Sequence, residues 1–599
     1  MTTLYDTALK ATTDDAVKDL KDEALAQQVA RIFLSKSCPQ FLRALDKDAS
    51  PSSTDRLIKA GRNILATIKY VQTNTTDNLD DESRQERADA AMSLLVDECS
   101  TLANILTGQE TRRVPTVRYG KTELQMPLVT LGCMRFQQSW NRGGAEPISK
   151  IDQVEPECQD NLVQILKHGI SMGVTHIETA KGYGCSELQL GVALQQLFQE
   201  KFVKREDLII QTKGGVAASM TVESYKKQIL TQMQTLKVKY LDLFSVHGLN
   251  SEEEFKYLFD NVPERGNLID ALKDLQKEEK IRHIGFSTHA RADLIRRAIE
   301  TDAFAYVNLH HHFIGSYTAS GDSEGMNNGH HGNYANVELA RKHDMGVFII
   351  SPYDKGGRLY APSVKLRELT LPEFEPMEFG SLWLWQYHLH QDTQTSGPMT
   401  HTQTIGAARP SDLDQPILAS LKTLENNDAL VDKIKRVNEK LQRRMETALP
   451  GGAKWAQTWH VGLPNWYDAK YGTQHGNLVW LYNLIHAYGM LDFAKDRYSP
   501  VGPRLEKWDY SKSKEENVAQ FLPGFNWMPG VGASPEKDYT DDFANCPEEN
   551  RQQLKEAVAF VHKYCRPVNK DEEPPENLDI PYEWETSYDM RPWTAFPER

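Results

Sequence analysis

The chain is 599 residues long, with 40% hydrophobic and 25% charged residues, enough apolar material for a large buried core. Its formal net charge of −14 excludes a general nucleic-acid binder, because neutralising phosphates needs a basic face. Seven scattered cysteines, never spaced C-x-x-C, argue against a disulfide framework or a thiolate metal site, and no run approaches the ~18 apolar residues of a membrane span. The opening segment has no apolar stretch and carries Asp6, Asp14, Asp15 and Asp19, unlike a targeting peptide, so a cytoplasmic location is expected.

Residues 1–112 read as wholly helical. Leu57, Gly61, Ile64, Leu65, Ile68 and Val71 recur at helical spacing, as do Met92, Leu95, Cys99, Leu102 and Ile105. The polar stretches SPSST (50–54) and TNTTDNLDDESR (73–84) are expected to separate these helices. No chemistry is visible here, and the region reads as an accessory layer or an oligomerisation element.

From residue 113 to 424 short apolar runs alternate with helical stretches: LVTLGCM (128–134), VTHIET (174–179), DLIIQTK (207–213), LDLFSVH (241–247), IRHIGFS (281–287), FAYVNLH (304–310), GVFIIS (346–351) and HTQTIG (401–406). Nearly continuous hydrophobicity fits strands buried on both faces of a parallel sheet. Eight of them, each followed by a helix, predict an α/β chain built on a closed (β/α)₈ TIM barrel rather than a doubly wound sheet, which would want a G-x-G-x-x-G turn after its first strand. Residues 425–599 hold eight of the eleven tryptophans and read as a mostly helical, Trp-rich domain with helices over 477–498 and 549–565, ending in a Pro-rich acidic tail.

In such a barrel the strand C-termini and the loops after them form the active face. The second strand ends in Glu178, the following loop carries Tyr183, the third strand ends in Lys213 and the fourth in His247. A free phenol, with a pKa of ~10, is a poor acid at neutral pH. A nearby ammonium favours the phenolate, and a carboxylate can hold that ammonium in place. His247 can hydrogen-bond a carbonyl oxygen or the phenol. A phenol tuned in this way beside a carbonyl is a general acid. A structural ion pair between Glu178 and Lys213 is the plainer alternative for those two residues. Ser186, three residues after Tyr183, reads as a helix N-cap rather than a catalyst.

Seven stretches of the barrel region resemble the aldo-keto reductase superfamily, in that family's order: VRYGKTELQMPLVTLGCMRF (117–136), GVTHIETAKGYGCSELQLGVAL (173–194), LIIQTKGG (208–215), YLDLFSVHGLN (240–250), IRHIGFSTHA (281–290), VFIISPYDKGGRLY (347–360) and TIGAARPSDL (404–413). The resemblance implies an NADP(H)-dependent oxidoreductase interconverting aldehydes or ketones and alcohols by hydride transfer. It casts Tyr183 as proton donor, Lys213 as the partner that lowers its pKa, His247 as the group that orients the carbonyl, and Glu178 in place of the family's usual Asp.

The same resemblance assigns Ser287 and Asn308 to the nicotinamide carboxamide, with Thr288 where Asn is common and Asn308 where Gln is usual. It makes Ser351, Gly356, Gly357 and Arg358 a pyrophosphate belt. Past the last strand, Gly406 and Ser411 lie at a turn opening a helix, whose free N–H groups attract anions. Arg409 beside it is the expected clamp for an adenosine 2′-phosphate, since guanidinium grips phosphate in bidentate fashion.

His310, His311 and His312, with His330 and His331 beyond, invite a metal. Successive residues leaving a strand point to opposite sides, however, so pocket lining is the preferred reading and no metal is assigned. Cys133 and Cys185 lie at the same face, where inert small hydrophobes are the ordinary case. The partners expected are a small carbonyl or alcohol substrate, no nucleic acid and no membrane, with oligomerisation through the helical flanks open. The alternative function is a nicotinamide-binding regulatory or scaffold protein with little turnover.

Overall fold

A computed structural model describes residues 3–12, 22–48, 50–73, 80–138, 148–315, 333–353, 363–386, 400–424, 427–465, 468–470, 473–498 and 538–565. A short antiparallel hairpin, β1 (Thr116–Arg118) and β2 (Gln125–Pro127), leads into eight parallel strands. These are β3 (Val129–Gly132), β4 (His176–Glu178), β5 (Ile209–Gly214), β6 (Leu241–His247), β7 (Ile281–Ser287), β8 (Tyr306–His310), β9 (Gly346–Ile350) and β10 (Thr402–Gly406). They pair in sequence order, and β10 closes onto β3 to make a barrel. All eight runs expected to be strands are barrel strands. The hairpin was not foreseen; Tyr119 and Met126 from it pack with Ile209, Leu243, Tyr306 and Phe348 at the N-terminal strand ends.

Helices such as Pro156–Ser171, Ser186–Gln199 and Val222–Thr235 bury their apolar faces against the outside of the strands. Inside, a row of polar side chains crosses the barrel. Thr130 Oγ1 meets Thr402 Oγ1 at 2.8 Å and His176 Nδ1 at 2.7 Å, His176 Nε2 meets Gln211 Oε1 at 3.0 Å, and Gln211 Nε2 donates to Ser245 Oγ at 2.9 Å. Each buried side-chain polar atom of this row is thereby paired, which offsets its desolvation. Burial holds the His176 imidazole down to about 3, so this layer stays uncharged and the ionised groups collect at the rim above it.

The N-terminal region folds as helices α1 (Leu4–Lys10), α2 (Glu23–Ser37), α3 (Pro39–Asp48), α4 (Pro51–Thr73) and α5 (Asp81–Leu106) around their own apolar core. The SPSST stretch does mark the change from α3, which ends at Asp48, to α4, but most of it is already helical because α4 begins at Pro51. Proline at a first helical position costs nothing, as its missing N–H would have had no partner there. The bundle docks on the barrel through α4. Arg56 grips the Asp414 carboxylate with Nε at 2.7 Å and Nη2 at 3.0 Å, both side chains buried.

In the C-terminal region helices Asn427–Ala448, Gly452–Thr458, His475–Tyr488, Leu491–Tyr498 and Arg551–Cys565 enclose Trp455, Trp459 and Trp480. The single helix expected over 477–498 is two, broken where Gly489 adopts φ 66° and caps the first with its N–H on the Ile485 carbonyl. Trp480 donates to the Ile314 carbonyl at 2.6 Å, which ties this region to the loop leaving β8. Among the described residues no helix is long and apolar enough to cross a membrane.

Candidate active site

The chain leaves β4 at Glu178 but stays beside β5, with the Thr179 N–H on the Gln211 carbonyl at 2.9 Å and the Lys181 N–H on the Lys213 carbonyl at 3.1 Å. A turn follows, with the Tyr183 N–H on the Ala180 carbonyl and Gly184 at φ 58°, before the helix at Ser186 begins. A φ of that sign favours glycine, and it lets Tyr183 sit at the mouth while the next helix starts at once. Ser186 is not a cap: its hydroxyl donates to the Cys133 carbonyl at 2.8 Å and meets Thr179 Oγ1 at 2.9 Å.

Glu178 and Lys213 form a direct ion pair with side chains 3% and 2% exposed. The longer Glu in place of Asp therefore still reaches the amine. Lys213 Nζ also donates to the Thr179 carbonyl at 3.1 Å and lies 4.7 Å from the centroid of the Tyr183 ring. His247, at the end of β6, meets that ring edge-on, with centroids 5.7 Å apart and planes at 88°. The four residues expected to act together thus meet around one half-buried phenol.

The electrostatics differ from expectation in one respect. Burial pushes the Tyr183 phenol above its ordinary value, and the cation opposing that rise is the Arg135 guanidinium. Lys213 spends its charge on Glu178. Arg135 was missed as a site residue although it stands in the short helical turn Cys133–Arg135 directly after β3, the position that drew attention to the other four. Its side chain lies over the last strand: a Cβ on Gly406 would come within 2.6 Å of Arg135 Cγ, so glycine there is what lets the arginine in. Cys133 and Cys185 take no ionised part, since burial raises the first thiol far up and the second to about 11.

His247, Ser287 and Asn308 are register partners across β6, β7 and β8 and so share one level of the rim. Ser287 Oγ accepts from the Gly248 N–H at 3.1 Å, and Thr288 Oγ1 donates to the Leu249 carbonyl at 2.8 Å. Asn308 is fully buried, yet neither its Nδ2 nor its Oδ1 has a hydrogen-bond partner among the described residues. An orphaned buried amide is costly unless something arrives to pair with it. One donor and one acceptor together are complementary to a carboxamide, so this level of the rim fits the nicotinamide end of a dinucleotide.

Ser351 ends β9 in a left-handed turn at φ 53°, a conformation a non-glycine residue adopts at a cost. Gly356, Gly357 and Arg358 lie outside the described residues, as do His330 and His331. His310, His311 and His312 are fully buried, with the first and third rings 4.5 Å apart, and no cluster able to hold a metal ion occurs among the described residues.

After β10, Arg409 does not point to solvent as a ready clamp. Its Nη1 donates to Asp55 Oδ2 of α4 at 2.6 Å, and its Nε lies 3.6 Å from Asp412 Oδ1. The Ser411 N–H, expected to serve an anion, faces Ser52 Oγ at 3.4 Å. The turn itself is a 3₁₀ segment, Pro410–Leu413, running into the helix Asp414–Lys422.

Residues 129–356 match the aldo/keto reductase family model. Over these residues the chain is similar to the aldo-keto reductase superfamily. A probable aldo-keto reductase 1 of Glycine max is 28% identical over 196 residues, 31% of this chain and 48% of that protein. An NADP-dependent D-sorbitol-6-phosphate dehydrogenase of Malus domestica is 34% identical over 124 residues, 20% of this chain and 32% of its own. A crystal structure of an aldo-keto reductase from Klebsiella pneumoniae in complex with NADPH aligns with 17% identity and a TM-score of 0.36, over 54% of this chain and 95% of that one. The chain spans about half the length of the first curated relatives it matches. Nothing outside the barrel enters the family match, so the N-terminal bundle and the Trp-rich region are additions to it.

Proposed function

We propose that the barrel mouth interconverts aldehydes or ketones and alcohols with NADP(H) as redox partner. The observation that carries this reading is the buried Glu178–Lys213 pair beside the Tyr183 ring, with His247 edge-on to it. The bound dinucleotide supplies or accepts the hydride. Tyr183 holds the proton at its phenol oxygen and gives it to the substrate oxygen. His247, at the same rim, orients that oxygen. Asn308 and Ser287 present amide and hydroxyl groups to the carboxamide, and Ser351, Gly356, Gly357 and Arg358 are the proposed pyrophosphate contacts. The phosphorylated dinucleotide is the proposed form on the strength of Arg409 and of the NADP dependence named for the Malus domestica relative. A cytoplasmic setting follows the same reading, in keeping with seven cysteines scattered along the sequence without a C-x-x-C spacing.

Oxidation of NADPH by a panel of aldehydes and ketones, followed by absorbance, tests the proposal. Turnover with any of them supports it. Tight dinucleotide binding with no turnover across the panel favours a sensor or scaffold instead.

Arg135 gives a pH-dependent check. Removing its charge by Arg135→Gln takes away the cation that opposes the burial of the phenol, so the phenol ionises at still higher pH. Alcohol oxidation needs the phenolate as base, and its kcat/KM profile is therefore expected to move to higher pH in the variant. A shift to lower pH would remove Arg135 from the site's electrostatics.

A further inference from the structure

We infer that Asp55 of the N-terminal bundle is a cofactor-specificity residue: it competes with the dinucleotide's 2′-phosphate for Arg409, so the docked bundle weakens NADPH binding relative to NADH. This rests on the proposed role of Arg409 as the 2′-phosphate contact.

The argument is geometric. The donors a 2′-phosphate would use at this turn already face the protein's own oxygens. The Arg409 guanidinium binds the Asp55 carboxylate at 2.6 Å, with Asp412 at 3.6 Å on its Nε, and the Ser411 N–H faces Ser52 Oγ. The pair is shielded, with side chains 13% and 7% exposed, so water screens it little. A phosphate has to replace the carboxylate there or lie beside it, and two anions on one guanidinium repel.

The helix that carries Asp55 is itself held in place. Ser52, Asp55 and Arg56 sit in the first two turns of α4, which is anchored by the bidentate Arg56–Asp414 contact. Asp414 also meets His168 Nε2 at 3.2 Å, so the anchor is shared with the barrel's own helix Pro156–Ser171. Arg56 lies 3.6 Å from Asp48 as well, at the end of α3. Moving the carboxylate away with its helix would break these contacts, and turning the side chain aside would leave a shielded charge without its counter-ion. NADH has no 2′-phosphate and meets none of this competition.

The test is fluorescence titration of the full-length protein with NADPH and with NADH. Asp55→Asn removes the charge and keeps the shape, and it is expected to tighten NADPH by about tenfold or more while leaving NADH unchanged. Asp55→Ala serves in its place if the Asn variant fails to fold. Adding Arg409→Ala to either variant is expected to cancel the gain. Equal changes for both dinucleotides, or no change for NADPH, would overturn the inference while leaving the dinucleotide-binding reading intact. Failure of wild type and variants to bind either dinucleotide would overturn that reading itself, and this one with it.

Discussion

Tyr183→Phe is expected to lower kcat for carbonyl reduction by ~10²–10⁴-fold, the usual worth of one positioned proton donor, with the dinucleotide dissociation constant unchanged. The substitution removes the phenol hydroxyl. The ring remains, and with it the edge-on contact to His247 at 5.7 Å and the seat beside Lys213 Nζ at 4.7 Å. The backbone turn that places residue 183 is held by the Ala180 carbonyl and Gly184. Fold and cofactor binding therefore stay as they are while the proton donor is lost. The burial that raises the phenol has a sign that matters here. Throughout the neutral range the group is protonated and able to donate, so reduction by the wild type should vary little between pH 6 and 8 on account of this group. Wild-type turnover in the Phe variant would end the assignment of Tyr183.

The barrel was legible because each of its strands is a short apolar run bounded by helical stretches, and burial on both faces leaves that signature in the residues themselves. The rim residues were legible for a related reason. An ionisable side chain closing an otherwise apolar strand, as Glu178, Lys213 and His247 do, has to face something other than the core. Arg135 carried the same mark and was passed over, since its role depends on the Gly406 gap on β10, far away in sequence. The Asp55–Arg409 pair left no mark at all. Its partners are 354 residues apart, and Asp55 reads as one more acid on a helix until α4 is seen lying against the turn after β10. Gly489 shows the opposite kind of miss, a local signal outweighed by the apolar run on either side of it. Pro51 was a local signal too, and it marks the boundary by opening α4 rather than by standing in a loop.

Lys213→Met should produce two losses that a second substitution can separate. Glu178 is 3% exposed at its side chain, and its ion pair is with Lys213. Breaking a buried pair by removing one partner costs about 3–5 kcal/mol, because the remaining charge has neither water nor counter-ion. The single variant is thus expected to melt well below the wild type and also to lose most of its turnover. Adding Glu178→Gln replaces the stranded carboxylate with a neutral amide of the same size. Thermal stability should then recover most of what was lost, since a buried pair exchanged for neutral groups is often close to neutral in free energy. Turnover should not recover, because the ammonium beneath the Tyr183 ring is gone and the Arg135 guanidinium alone is left to steady a developing phenolate. A double variant that regained both stability and activity would make the pair a structural strut, and the proton chemistry would then have to rest on Tyr183, His247 and Arg135 alone.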